Sequence, residues 1–348
     1  MHMADALISP AVGGLMWGAT AVTTVYCARK VREEIDEAAV PLMGVTGAFI
    51  FAAQMLNFSI PGTGSSGHLG GGLILAALLG PHAAFLVMLS VLVVQALFFA
   101  DGGLLALGAS SFNLGFFPAF VAFPFIYRAI VGNKPTPRRV LVGSVAGAVV
   151  GLQLGAFGVV AQTTLSGVSE LPFTAFMLMM QPIHLAIGVV EGLITAGVIT
   201  FVLRTQPDIL SRVTSGRPLA GIVARPVLTV LLGAALVSGT ALAWFASADP
   251  DGLDWAIERV AGTTEITGAA ADAHEAAAGV QARTSFLPDY GFPTANEDDG
   301  DGAWPAVDAG TSTAGIVGGV ITLGVTALIG VMLRRRPKGR TQPAPDTV

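Results

Sequence analysis

Runs of about twenty apolar residues recur along this chain, and that recurrence limits the fold more than any other feature. They fall at residues 7–28, 40–56, 83–100, 104–130, 140–164, 173–203, 227–246 and 313–333. At ~1.5 Å of rise per residue, most of these runs can cross a ~30 Å hydrocarbon layer as helices. Inside lipid each backbone N–H and C=O must find a partner within its own segment, and helices satisfy that demand. Of the 348 residues, 53% are hydrophobic and only 12% charged, about half the charge of a soluble domain. The expected fold is therefore an all-α polytopic membrane protein, whose surroundings are the lipid bilayer and not nucleic acid. Its one cysteine, Cys27, excludes disulfides and cysteine-rich metal sites. No Walker A string occurs, so the chain carries no ATPase of that type. Residues 1–10 lack a basic n-region and contain Asp5, so no signal peptide is expected.

One segment breaks the pattern. Residues 57–72 hold six glycines and Pro61, which a regular helix does not tolerate. The apolar stretch that follows, 69–80, covers only ~18 Å before Pro81, half of a crossing. The economical solution is a loop that dips into the membrane, completed by a half-helix. Broken helices of this kind are where transporters place their sites. His68 stands at the start of the half-helix, whose dipole disfavours imidazolium and keeps the ring able to bind metal.

Sidedness follows from the basic residues. The groups at 29–32, 128–139, 204–225 and 334–340 hold 16 of the 18 Lys and Arg. All lie on one side if the chain crosses nine times, the half-helix counting as one. The positive-inside rule makes that side cytoplasmic and puts the N-terminus and the His68 loop outside. Residues 247–312 carry 13 Asp and Glu against 2 Arg and are then also external. Two readings of that segment stand: a field that attracts cations, or an ordinary solvated acidic surface. Gly143, Gly147, Gly151 and Gly155 form a small-residue ladder for close helix packing.

The chain begins Met1-His2-Met3. A free terminal amine, the His2 amide nitrogen and the His2 imidazole Nδ1 can close two adjoining chelate rings on one metal ion. One more imidazole, His68, completes a square of four nitrogens. Such a square suits Ni(II) or Cu(II) better than Zn(II). The competing view is that His2 lies in a frayed terminus. Asp5, Asn57 and Asn113 are candidates for a second row that orients the ligands. Met3 is either an axial sulfur or plain packing. His184 and Glu191 lie seven apart on one helix face, which fits either a functional pair or satisfied polar packing. His82 reads as a turn residue and His274 as part of the solvated acidic loop. A rival from another class is an intramembrane serine protease, with Ser66 of Gly64-Ser65-Ser66-Gly67 as nucleophile and His184 as base.

Several blocks together resemble the CbiM/NikM family, the substrate-binding membrane components of energy-coupling-factor (ECF) nickel and cobalt transporters. They are the first ten residues, the whole of 57–72, Leu79-Gly80-Pro81, Gln95-Ala96-Leu97-Phe98-Phe99-Ala100-Asp101-Gly102-Gly103, Phe112-Asn113-Leu114-Gly115 and the stretch 184–192. The resemblance implies a seven-helix metal-binding core over 1–205, with Met1, His2 and His68 as metal ligands. Farther on, Asp249-Pro250-Asp251-Gly252-Leu253-Asp254-Trp255 and Pro288-Asp289-Tyr290-Gly291-Phe292 are similar to the PDGL-type (NikN/CbiN-like) accessory module, fused here behind the core. The implied organisation is a cytoplasmic linker over 206–226 and a module over 227–340, in which two helices flank the external acidic loop 247–312. A cytoplasmic tail follows at 341–348. Residues 263–285 and 294–312 depart into low-complexity sequence, so only a short part of the module is expected to be ordered. The implied role is capture of Ni(II) or Co(II) at the outer face of the cytoplasmic membrane, with no prosthetic group and no covalent chemistry. The implied partners are a NikQ/CbiQ-like coupling membrane protein and NikO/CbiO-like ATPases. A self-sufficient secondary metal permease is the remaining alternative, but the HxxxxDH helix of that family is absent.

Overall fold

The computed structural model describes residues 2–34, 39–217, 219, 224–264, 266, 272–293 and 304–334. Nearly all of the secondary structure in them is helical. The first part contains α1 (Pro10–Glu34), α2 (Val40–Gln54), the half-helix α3 (Gly72–Leu79) and α4 (Pro81–Phe98). It continues with α5 (Leu107–Val131), α6 (Pro137–Ser166) and α7 (Phe173–Thr205). Of these seven helices α1, α4, α5, α6 and α7 are long and apolar enough to cross a membrane, and α2 is a shorter apolar helix. A short helix α8 (Pro207–Thr214) leads to α9 (Arg225–Gly239), and α12 (Ala309–Leu333) closes the described chain. Between α9 and α12 stand α10 (Gly252–Ala261) and α11 (Asp272–Thr284).

Bilayer-facing surface is visible in the side chains themselves. Leu15, Val22, Phe125, Leu165, Val320 and Met332 are exposed although they sit on regular helices. A soluble bundle would turn such residues inward, whereas lipid accepts them. By contrast α2 and α3 are almost wholly buried, so the half-helix lies at the centre of the bundle.

The glycine-rich segment holds a small β-hairpin that the sequence pattern did not announce. β1 (Phe58–Ile60) pairs antiparallel with β2 (Ser65–Gly67), Ser59 opposite Ser66. Three-residue strands are too short to show a period of two. The chain then turns into α3 through Gly71, at φ +80°, where a Cβ would meet the side chain of Ile50. Only glycine satisfies both the left-handed backbone and the contact.

The run at 104–130 forms one helix, α5, its middle (Phe112–Tyr127) widened to π-type winding around Pro118 and Pro124. One expectation is corrected. The stretch 263–285 is not all low-complexity chain, because residues 272–284 form α11. Of those doubtful stretches, 265, 267–271 and 294–303 lie outside the described residues, as do linker residues 218 and 220–223 and the tail from 335 onward.

The C-terminal pair of helices clasps α2. Gly315 of α12 approaches the backbone of Gly239 so closely that any side chain there would collide with the carbonyl of Gly239. Gly44 and Gly47 of α2 receive Leu323, Thr326 and Ala327 of α12 in the same manner. Where lipid offers no hydrophobic drive, such small-residue contact is what holds helices together. The far end of α12 sits beside the start of α2, with Gly330 against Val40.

Candidate metal centre

The N-terminal segment is not frayed. Met3, Leu7 and Ile8 are fully or almost fully buried. The Met3 amide donates to Ser110 Oγ at 3.1 Å, and the Met3 carbonyl accepts from Gly103 N at 2.9 Å. Asp5 Oδ1 accepts from the Ala106 amide at 2.9 Å. The segment therefore lies against the loop after α4 in a fixed register. Asn113, on α5, exchanges hydrogen bonds with Gln162 and places its Nδ2 at 3.9 Å from Met3 Sδ. It supports the floor under Met3.

That register brings His2 to His68. Their rings stack with centroids 5.0 Å apart and an angle of 27° between planes. The His2 side chain is 9% exposed and that of His68 11%. His2 Nδ1 lies 2.7 Å from Asp101 Oδ1, while its Nε2 is buried without a hydrogen-bond partner. The Asp101 carboxylate also accepts from the Tyr290 hydroxyl at 2.5 Å. Burial pushes Asp101 upward, but the charge of His2 and these two hydrogen bonds prevail and hold it at about 2. An ionised carboxylate can only accept, so the His2 Nδ1–H donates. In the expected chelate the same Nδ1 carries the lone pair for the metal, so the hydrogen bond to Asp101 and that chelate exclude one another.

His68 follows β2. Its Nδ1 donates to the Leu69 carbonyl at 3.2 Å, which leaves the lone pair on Nε2. Burial lowers its pKa to about 4, and the neighbouring His2 adds to that, so the ring is neutral at physiological pH. The loop is held from below by Glu191 of α7, whose carboxylate accepts from Gly70 N at 2.8 Å and Gly71 N at 3.2 Å. Gln54 donates to the Gly70 carbonyl and accepts from Gln95. Glu191 thus positions the half-helix and does not pair with His184, whose Nδ1 donates to the Met180 carbonyl at 2.8 Å.

The acidic segment is more than solvated surface. Ser66 N and Oγ donate to the carbonyls of Pro250 and Asp249 at 2.8 Å each. Ser247 N donates to the Asn57 carbonyl, and Trp255 Nε1 to the Thr63 carbonyl. The PDGL stretch is thereby docked across the hairpin. Asn57 contributes its carbonyl to this docking. With Ser66 Oγ bonded to a backbone carbonyl and His184 to its own helix, the protease arrangement is not formed. Asp251 caps α10, accepting from Leu253 N and Asp254 N through Oδ1, and presents Oδ2 at 3.8 Å from His68 Nε2. His274 of α11, expected to be an idle loop residue, donates from Nε2 toward the carbonyls of Asp5 and Ile8 at 3.1 and 2.9 Å. Gln281 of the same helix donates to the Ala96 and Gly102 carbonyls.

His2 opens onto a vestibule of about 600 Å³ whose lining includes Asp5, Asp101, Asp251, Asp254, His274 and Asp289. Its carboxylates form a field favourable to cations. Met1, the first ligand expected from the sequence, lies outside the described residues. Among the described residues no three His, Cys, Asp or Glu side chains converge on one point.

A helical membrane bundle here buries His2 against the imidazole of His68 under an acidic vestibule. Residues 2–209 match the family of the cobalt uptake substrate-specific transmembrane region, CbiM, and residues 225–335 match the PDGLE domain. The chain belongs to the CbiM family. It is 32% identical over 335 residues to a putative fused nickel transport protein, NikMN, of Archaeoglobus fulgidus, covering 93% of this chain and 96% of that one. It is 35% identical over 210 residues to a putative metal transport protein of Haloquadratum walsbyi, covering 60% of this chain and 93% of the other. A crystal structure of a transition metal transporter superposes with a TM-score of 0.53 at 31% identity, covering 61% of this chain and 97% of that chain. The protein is accordingly a membrane component of metal uptake, a transport subunit and not an enzyme.

Proposed function

We propose that this protein captures Ni(II), or Co(II), at the outer face of the cytoplasmic membrane as the substrate-specific component of an ATP-driven ECF importer. The observation that carries the reading is the buried N-terminal segment, which sets His2 against His68 at 5.0 Å. The amine of Met1, the amide and imidazole nitrogens of His2 and the imidazole of His68 supply the in-plane donors. Four nitrogens in a square favour Ni(II). For Nδ1 of His2 to join them, the ion displaces the proton that this nitrogen shares with Asp101. Transported Ni(II) or Co(II) is the cargo and no prosthetic group is needed. A coupling membrane protein of the NikQ/CbiQ type and a pair of NikO/CbiO-type ATPases drive inward release.

The outward orientation of the site is supported by where the basic residues end up. Arg128 and Arg217 line a pocket together with Gly80, Pro81 and His82, at the end of α3 remote from His68. A cysteine at exposed Ala282 on α11 is expected to react with an impermeant thiol reagent on whole cells, and one at exposed Asp208 on α8 to react only after permeabilisation. Reversed labelling would overturn the orientation. Co-purification of the chain with an ATPase pair and a coupling protein tests the importer assignment. A chain that sustains uptake alone in cells devoid of those partners would instead be a secondary permease.

A further inference from the structure

The end of the bundle remote from His68 holds a pocket that metal capture does not use. Its volume is about 190 Å³, and it lies between the start of α4, the far end of α5 and the turn after α8. Its walls are apolar: Leu79, Phe123, Val213 and Leu219 line it, and all four are buried. Two arginines line it as well, Arg128 of α5 and Arg217 of the turn after α8, and no Asp or Glu stands among the described lining residues. Both arginines are exposed, and among the described residues neither pairs with a carboxylate.

Basic residues are common at one end of a membrane bundle. That tendency does not by itself gather two of them, from segments far apart in the chain, over one apolar pocket. The backbone fixes each in place. Arg128 stands on α5 one turn beyond Pro124, and its carbonyl accepts from Gly132 N at 2.9 Å. Arg217 follows Gly216, whose φ of +66° turns the chain back so that Arg217 N donates to the Arg212 carbonyl at 2.8 Å. The first turn of α4 lines the same pocket without a side-chain cap, so its dipole adds to the positive field.

Two guanidinium groups without a carboxylate call for an anion, and their planar forks match the oxygens of a phosphate. The pocket is smaller than the ~300 Å³ at which sites for drug-sized ligands begin, which suits a headgroup better than a large organic ligand. Beside it Phe125 and Leu141 are exposed on membrane helices, where lipid meets them. The phosphates found at that depth are those of phospholipids.

We propose that this pocket binds the phosphate group of an anionic phospholipid, held by Arg128 and Arg217. The inference is independent of the metal site and holds whichever leaflet this end of the bundle meets. The bound lipid ties the turn after α8 to α5, and so fastens the segment that leads to the accessory module onto the core.

The test is native mass spectrometry of the purified full chain in detergent, titrated with phosphatidylglycerol, beside thermal melts of the same samples. One phosphatidylglycerol is expected to bind more tightly than any further copy and to raise the melting temperature. Arg128→Ala and Arg217→Ala should each weaken that binding about 5-fold, the scale of one basic residue at an anionic surface. The double variant should lose the thermal shift. Both side chains are exposed, so the variants are expected to melt normally without added lipid. Arg138→Ala removes an exposed charge at the start of α6, outside the pocket, and should bind normally. Phosphatidylcholine and inorganic phosphate should both bind far more weakly. Unchanged binding in the Arg128 and Arg217 variants would overturn the inference and leave the pocket to an acidic segment of a partner protein. Equal weakening by Arg138→Ala would overturn it too, because the attraction would then belong to the whole basic surface. Saturation by inorganic phosphate at the same concentration as by phosphatidylglycerol would overturn the lipid assignment.

Discussion

His68→Ala is expected to abolish high-affinity nickel binding, and with it uptake, while the protein still folds. On the proposed reading the imidazole is the one in-plane donor contributed by the core, and its removal leaves a three-nitrogen fragment on a chain end. The loss should exceed the ~10–100-fold typical of removing a partner behind a ligand. The fold should survive because what shapes the loop is elsewhere: the Glu191 bonds to Gly70 and Gly71, the Gln54 bond to Gly70, and the hairpin register. None of these uses the His68 ring. His82→Ala is the matched control, since His82 lies at the other end of α3 against Tyr26 and Phe120. Isothermal titration with Ni(II), beside a thermal melt in detergent, checks both statements. Nanomolar binding retained by His68→Ala would remove His68 from the site.

A single alanine inserted between Met1 and His2 is expected to be as damaging as the loss of His68. The physical reason is register. Met3 is fixed by its amide to Ser110 and its carbonyl to Gly103, with Asp5, Leu7 and Ile8 anchored just beyond. The anchored segment cannot slide to absorb an extra residue, so the amine is displaced outward while His2 stays beside Asp101. The insertion also adds an amide nitrogen between the amine and His2, which changes the chelate geometry and leaves no in-plane place for His68. An N-terminal tag does the same by turning the basic amine into an amide. A tag after Val348 should be tolerated, because α12 ends beside the start of α2, away from His2. On the proposed chelate, protons leave the amine and the amide when metal binds, so affinity rises with pH. His68, already neutral above about 4, adds nothing to that dependence. Equal affinity for N-tagged and C-tagged protein would show that the amine is not a donor.

The membrane helices were legible because lipid imposes one rule on every span, and apolar length alone reports it. The half-helix was legible for the same reason: residues 69–80 are too short to cross, and two glycines, Gly71 and Gly80, bound the helix at positive φ. The pairing of His2 with His68 could be inferred from chelate chemistry, although their separation of 66 positions hides it from any periodic pattern. What stayed hidden depends on partners distant in sequence. Strands β1 and β2 are stabilised by each other and by the PDGL stretch, and show no local period. Helix α11 is alanine-rich and buries no residue, and it stands where His274 and Gln281 find backbone carbonyls of the core. Asp101 stood within a recognisable block, and Asp251 within another, but nothing in either block says which imidazole it faces. Asn57 was read for its side chain, whereas the fold uses its carbonyl.

The central claim is that four nitrogens, three of them from the chain terminus, hold the cargo ion. The most direct measurement is the electronic absorption and magnetic susceptibility of the purified full chain, with its amine free, titrated with Ni(II) near neutral pH. The account predicts one equivalent bound as a diamagnetic, square-planar nickel centre, whose spectrum is lost in His2→Ala. A paramagnetic, six-coordinate nickel centre, or a square-planar spectrum that persists in His2→Ala, would contradict it.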